Sequence, residues 1–441
     1  MNSAETHSLD NAAVTAEGNM ASNHMRAGTK IGAWAALAAA VLASAGCSLI
    51  GLKPQLEETA AIAYYTGTVT RESPGKGPLI VVLQDTRSSA VAFYDIVPRQ
   101  GAYHLLAEPG SYEVFAFEDA NGNFAFEPDE RFASLGAAPV NAHGNLDPAA
   151  RGALVVGAGG DRSRVHAIDL SAQGLATVLT RRAARVGVTT TLDDPRFAPE
   201  NVEAGVYRPM DFLRNTGPGL FFLEPYDPAR IPVVFVHGMD GSPRDFATII
   251  DHLDRSRLQP WVYFYPTGSS LSFSAWALDQ ELEELQSRLG VSRFYLVAHS
   301  MGGLVSRGAI NLRLADGRKA GVERFITIST PWLGHAGAKL GVAMSPVVVP
   351  SWEDMAPGSV YLQGLFAVSW PSEIERSLLF GHRGRSLVTP GKDDGVVAVE
   401  SVLAYPAQDG AHLVYGQTED HTSILSSAKT LELLAMLLGQ R

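Results

Sequence analysis

The segment from Phe294 to Val305, FYLVAHSMGGLV, constrains this chain more than any other. An apolar run ends at a serine with small residues two positions to either side, and helix-compatible residues follow. The pattern predicts a buried strand, a sharp turn at Ser300 and a helix. Such a turn holds its serine in a strained backbone conformation and pushes the hydroxyl out above the sheet. Ala298 and Gly302 are expected to pass close to each other and to the neighbouring backbone, where a larger side chain would block the turn.

A serine hydroxyl is a weak nucleophile without a base to take its proton and an acid to orient that base. Downstream, Asp394 lies in PGKDDGVV and His421 in EDHTSIL. The order Ser, Asp, His is that expected of an α/β-hydrolase. Asp393 is a rival acid, and Asp394 is preferred because it directly precedes Gly-Val-Val. His335, His382 and His412 are weaker candidates for the base, since none has the Asp-His-Thr setting ahead of a C-terminal helix. Upstream, PVVFVHGMDGS reads as a buried strand running into a loop at His237 and Gly238. Such a loop aims backbone N–H groups at a developing oxyanion. The expected donors are the N–H groups of Met239 and Met301, and His237 is expected to shape the loop. His299 is expected to pack beside the turn. As plain structure, Ser300 would be a helix cap, Asp394 a turn residue and His421 a surface histidine.

From about Val206 onward the chain resembles the α/β-hydrolase superfamily, in particular a lipase-like branch with bacterial triacylglycerol lipases and PGAP1-like deacylases. The resemblance rests on VFVHG at 234–238, AHSMGG at 298–303, STPWLG at 329–334, DGVV at 394–397 and His421. Ala298 departs from the usual first glycine of the turn. The resemblance implies hydrolysis of acyl or lipid esters through an acyl-enzyme, with no cofactor and no metal in the chemistry. An acyltransferase or thioesterase on the same three residues stays open, as does a non-catalytic envelope protein that keeps the fold as a binding scaffold.

With 46% hydrophobic and 18% charged residues and a formal net charge of -11, the chain has ample core and lacks a basic stripe. Nucleic-acid binding is therefore not expected. A basic stretch at Met25–Lys30, an apolar run from Ile31 to Ala45 and the sequence SAGC at 44–47 read as an export signal. The cysteine after Ala-Gly resembles a bacterial lipoprotein signal, although Ser44 stands where leucine is usual. It implies that Cys47 is lipidated and that the protein is held to a membrane of the cell envelope. Cys47 is the only cysteine, so no disulfide can form within the chain, and once lipidated it leaves no free thiol for catalysis.

The remaining organisation follows from periodicity. Residues 1–46 read as the signal with a possible upstream extension, and 47–60 as a lipidated tether. Residues 61–180 read as a small β-sandwich, weakly resembling prealbumin-like modules, with a hairpin across Pro109–Gly110. Residues 181–205 read as a linker. Residues 206–441 alternate strand and helix, which predicts an α/β class domain: a mostly parallel sheet with helices on both faces. A stretch at about 335–381 reads as an insertion, either a cap over an acyl pocket or an ordinary helical excursion. Glu281, Glu283 and Glu284 are placed on the polar side of a helix. Asp119, Asn121, Asn123 and Glu130 are spaced like calcium ligands, but Phe124 stands where a calcium loop needs glycine; a solvated turn is the competing reading.

Overall fold

The computed structural model describes residues 49, 51–141, 152–170, 187–386, 388 and 391–439. The stretch read as an export signal, with Cys47, lies outside these residues. Among them, no helix is long and apolar enough to cross a membrane.

The central sheet has seven strands in the order β14-β13-β12-β11-β9-β10-β8. They are β8 (Gly219–Phe222), β9 (Ile231–Val236), β10 (Leu258–Phe264), β11 (Phe294–His299), β12 (Val322–Ile328), β13 (Glu375–Gly381) and β14 (Leu413–Gln417). All neighbours pair in parallel except β8, which runs antiparallel to β10 at the edge. Successive side chains of a strand point to opposite faces, and here both faces are covered. Val234, Val236, Leu296 and Ala298 join one core, packed under two long helices. Val233, Phe235, Tyr295 and Val297 join the other, with Phe246, Ile424, Leu425 and Leu433. This is why β9 and β11 read as continuous apolar runs.

Six helices matter for the site: α1 (Pro199–Tyr207), α2 (Leu271–Leu289), α3 (Met301–Ala315), and the short α4 (Ala336–Met344), α5 (Pro350–Met355) and α6 (Val360–Leu365). The Ser270 hydroxyl caps α2 by accepting from the Phe273 N–H at 3.2 Å, and Gly290, with φ of 68°, ends it. Positive φ is the backbone state that glycine adopts without steric cost.

The β-rich half stacks a three-stranded sheet, β4-β1-β7, on a four-stranded sheet, β3-β2-β5-β6. The strands are β1 (Ala63–Arg71), β2 (Leu79–Asp85), β3 (Val91–Val97), β4 (Gly101–Ala107), β5 (Gly110–Glu118), β6 (Phe132–Val140) and β7 (Ala153–Val156). The expected hairpin at Pro109–Gly110 is not one. β4 pairs with β1, while β5 pairs with β2 and β6, so the turn carries the chain from one sheet to the other.

Three further expectations are corrected. Residues 52–60, read as a tether, are helical. Gln55 Oε1 there accepts from the N–H groups of Met210 and Asp211 at 3.0 Å. Within 187–205, read as a linker, Pro199 opens α1, and Thr189 bridges to Phe222 on β8. The stretch 335–381 ends in β13, a buried parallel strand of the central sheet, so the excursion stops before Glu375.

The acidic residues of α2 do not face water. The β-rich half and α3 cover that side of the helix, and each carboxylate has a different fate. Glu283 bonds Arg313 and Arg318. Glu284 Oε1 accepts from the Tyr94 hydroxyl and from Arg288 Nε, both at 2.7 Å. Arg288 also reaches the Leu170 carbonyl at 2.7 Å, and Trp276 stacks on Phe93 with ring centres 6.0 Å apart. The β-rich half is thus tied to the sheet through α2.

Glu281 is 3% exposed and makes no ion pair among the described residues. Burial raises its carboxyl well above 4.5, and the nearby Glu284 adds to the effect, while the Leu220 main chain opposes it too weakly to offset them. A raised folded-state pKa means that the folded form holds the proton more tightly. The resulting stability is complete below the unfolded pKa and is lost as pH rises toward the folded value, at about 1.4 kcal/mol per pH unit. Glu281→Gln is expected to unfold at a higher temperature than the wild type at pH 8, by about 3 °C or more. The difference should shrink toward zero at pH 4.5, as read by thermal unfolding at several pH values.

Candidate active site

Ser300 stands between β11 and α3 with φ 53° and ψ -128° and makes no side-chain capping bond. A helix cap would place the serine in extended backbone with its hydroxyl on an N–H of the first turn, so that reading does not describe this residue. The strain is held by contacts on each side. The Ser300 N–H donates to the Ile328 carbonyl at 2.8 Å, and its own carbonyl accepts from Gly303 at 3.1 Å. A Cβ on Gly302 would lie 2.2 Å from the Val236 carbonyl oxygen and 2.6 Å from that of His237. The main chain of β9 and its loop therefore enforces glycine at 302. Ala298 is fully buried and fits with a methyl.

Two other non-glycine residues with positive φ sit just past strand ends of this sheet: Asp240 at 54° beyond β9, and Ser329 at 52° beyond β12. Both flank the turn at Ser300, since β9 and β12 are the neighbours of β11. Carboxyl ends of parallel strands are where such sheets place their ligands.

His421 lies in the loop before the C-terminal helix, and its Nδ1 bonds Asp394 Oδ2 at 2.8 Å. The other carboxylate oxygen, Oδ1, accepts from the Val397 N–H at 2.7 Å and the Val396 N–H at 3.1 Å. Burial works to raise the Asp394 carboxyl, but the His421 bond, the Val397 N–H and the Ser329 hydroxyl together hold it below its ordinary value. The rival Asp393 is spent on its own loop, accepting from Ser386 at 3.0 Å and Gly395 at 2.7 Å. Both carboxylates are buried, so exposure does not separate them. Their hydrogen-bond partners do.

The remaining histidines are placed otherwise. Burial lowers His237 to about 4 and His299 to about 3, with the neighbouring His421 adding to the second shift. Burial also lowers His335, whose Nε2 bonds the Val396 carbonyl at 2.9 Å. His412 approaches Glu375 at 4.0 Å, but that pair is half out in water at the amino end of β13. Among the described residues, His421 is the buried histidine that bonds a carboxylate.

The loop after β9 is set against the serine. A Cβ on Gly238 would fall 2.7 Å from Ser300 Cβ and 3.3 Å from its Oγ. Tyr265 stacks on His237 with ring centres 4.6 Å apart, and its hydroxyl donates to the His237 carbonyl at 2.7 Å. Met239 packs on the core, with its sulfur 3.5 Å from the Ser351 hydroxyl. Met301 opens α3, so its N–H is one of the four at a helix start with no acceptor inside the helix. Sequence reasoning passed over Tyr265 and Ser329. Tyr265 carries no signal beyond closing an apolar run, whereas Ser329 opens STPWLG.

The stretch after β12 is anchored to α3. The Tyr361 hydroxyl donates to the Leu304 carbonyl at 3.0 Å. Arg307, fully buried, donates from Nε to the Leu365 carbonyl at 3.1 Å and lies 3.7 Å from the centre of the Trp370 ring. Leu340, Met344 and Val360 of this stretch remain exposed.

The calcium spacing forms a self-bonded turn. Asp119 accepts from the N–H groups of Gly122, Asn123 and Phe124, Asn121 from that of Asn123, and Asn123 from that of Ala125. Glu130 accepts from the Glu127 N–H at 3.1 Å. No group of three or more His, Cys, Asp or Glu suited to a metal ion occurs among the described residues.

A mostly parallel seven-stranded sheet with helices on both faces, and a strained serine at the turn from β11 into α3, has the architecture of the α/β-hydrolase fold. Residues 229–363 match the family described as "Putative serine esterase (DUF676)". Among solved structures, the chain is similar to the mature lipase BlEst2 of Bacillus licheniformis at 22% identity, covering 50% of this chain and 97% of that one, with a TM-score of 0.41. It is also similar to phospholipase PlaB of Legionella pneumophila at 19% identity, covering 39% of this chain and 45% of that one, with a TM-score of 0.34. A further likeness, to a Listeria innocua protein, has 17% identity, covers 48% and 95% of the two chains and has a TM-score of 0.36. Likenesses this distant say nothing about activity. No curated protein matches the chain.

The close approach of Gly238 to Ser300 makes a defined expectation. Gly238→Ala should lower kcat on a short p-nitrophenyl ester by about 100-fold, the effect of a displacement near 1 Å at a reacting centre. Thermal unfolding of the variant should show a fold that persists. Wild-type kcat would mean that the two residues do not share a reacting site.

Proposed function

We propose that the protein is a serine hydrolase that cleaves carboxylic esters, acyl or lipid, through an acyl-enzyme. His421 takes the Ser300 proton as Oγ attacks the ester carbonyl. The N–H groups of Met239 and Met301 receive the oxyanion, and His237 and Gly238 hold that loop in place. His421, oriented by Asp394, returns the proton to the departing alcohol, and water then releases the acyl group. Metal chemistry has no part in these steps. The stretch after β12 caps the acyl pocket.

The observation that carries this reading is the combination at Ser300 of positive φ, the missing capping bond and the contact with Gly238. Backbone strain of this kind clusters at functional sites, and a serine strained at a strand-to-helix turn fits the role of nucleophile. The 2.8 Å bond between His421 and Asp394 supports the assignment of base and acid. The match of residues 229–363 to a serine esterase family points the same way. The signal-like residues 25–47 support an exported protein, lipidated at Cys47 and held at a membrane of the cell envelope.

Ser300→Ala is expected to abolish both ester turnover and labelling by a fluorophosphonate probe, with the melting temperature unchanged. A labelled or active Ser300→Ala protein would overturn the assignment. Asp394→Asn should keep the fold and lower kcat by about 1,000-fold or more, because the imidazole loses the partner that sets its tautomer. Asp393→Asn is the contrasting variant: it should affect stability through its loop and leave kcat per folded molecule within about threefold.

A further inference from the structure

We propose that His299 is a positioning residue, which fixes the base to the strand that carries the nucleophile. The inference rests on the reading of Ser300 and His421 given above. In β11, Tyr295 and Val297 point to the face of the sheet on which Ile424 and Leu425 pack. Side chains alternate along a strand, so His299 continues that set and emerges beneath the loop that holds His421. Its Nε2 lies 2.9 Å from the His421 carbonyl oxygen, and the two rings are 4.6 Å apart. A carbonyl only accepts, so Nε2 carries the proton and His299 donates.

The other bonds of His421 explain why this one matters. Its N–H donates to the Asp394 carbonyl at 2.8 Å, and its Nδ1 bonds the Asp394 carboxylate at 2.8 Å. Both join base to acid. They make the two residues one unit but do not set its distance from Ser300. Asp394 is itself tied to the end of β12 through the Ser329 hydroxyl. The bond from His299 joins His421 directly to β11, one peptide from the serine. It bears on main chain, so it leaves the His421 ring free to trade a proton with the nucleophile. Burial, which holds His299 at about 3, keeps the donor uncharged through the working pH range and out of proton transfer.

The test is a KM-against-kcat split with a conservative rescue, on the full chain. His299→Leu removes the donor and is expected to lower kcat about 10- to 100-fold, the scale of a displaced catalytic group, with KM within twofold. His299→Gln places an amide N–H near the position of Nε2 and should recover kcat to within about fivefold of the wild type. His299→Asn has the same amide but falls short of the carbonyl, and should resemble His299→Leu. If His299→Leu does not fold, the Gln and Asn pair carries the comparison. Wild-type kcat in folded His299→Leu, or equal losses in the Gln and Asn variants, would overturn the proposal. Failure of the parent reading looks different: Ser300→Ala would then keep its activity or its probe labelling, whatever happens at 299.

Discussion

The main chains at the ends of β9 and β11 meet so closely that side chains are excluded, and the site is arranged around that meeting. Gly302 has the carbonyls of Val236 and His237 where a Cβ would be, and Gly238 has Ser300 in the same relation. Parallel strands lie under 5 Å apart, so a chain turning sharply out of one strand has its neighbour's backbone immediately beside it. The turn at Ser300 carries Gly302 directly against the main chain of β9. Ser329 and Asp240 take up similar strain at the flanking strand ends. All three ends are braced by the sheet and the long helix α3, which over-determine conformations that would not persist in a free loop.

Burial then sorts the ionisable groups. The same desolvation acts on His237, His299 and His335 and favours their neutral forms. Asp393 and Asp394 are adjacent, equally buried and chemically identical, yet one builds a loop and the other faces His421. The difference follows from direction. Asp393 turns its carboxylate to the N–H groups of Ser386 and Gly395, and Asp394 accepts from Val397 with one oxygen and bonds His421 with the other.

Much of the central sheet is legible in the chain because its strands are apolar on both faces. β9 and β11 announce themselves this way. β13 does not, since ERSLLFG opens on two charged residues, of which Arg376 becomes buried only by donating to the distant Ala407 and Asp409 carbonyls, and it follows the broken segment SWPSEI. β14 is a short edge strand, LVYGQ, with half-exposed residues and no alternation to read. The helix at 52–60 is missed because Leu52 becomes buried only through its tertiary contacts. The acidic face of α2 is misread for a related reason. Glutamates at helical spacing normally face solvent; here Tyr94, Arg313 and Arg318 from distant segments, with Arg288 of the same helix, cover Glu283 and Glu284.

By itself, the amino-acid sequence determined that a serine would stand at a strand-to-helix turn, because only small residues at 298 and 302 permit that turn. It also placed an aspartate and a histidine downstream in a workable order. Tertiary structure decided that Tyr265 holds the loop at Gly238 and that His299 bonds the main chain of His421. Those outcomes depend on direction and distance between segments far apart in the chain. Local pattern carries no record of them, because it specifies which face of an element is apolar but not what arrives against it.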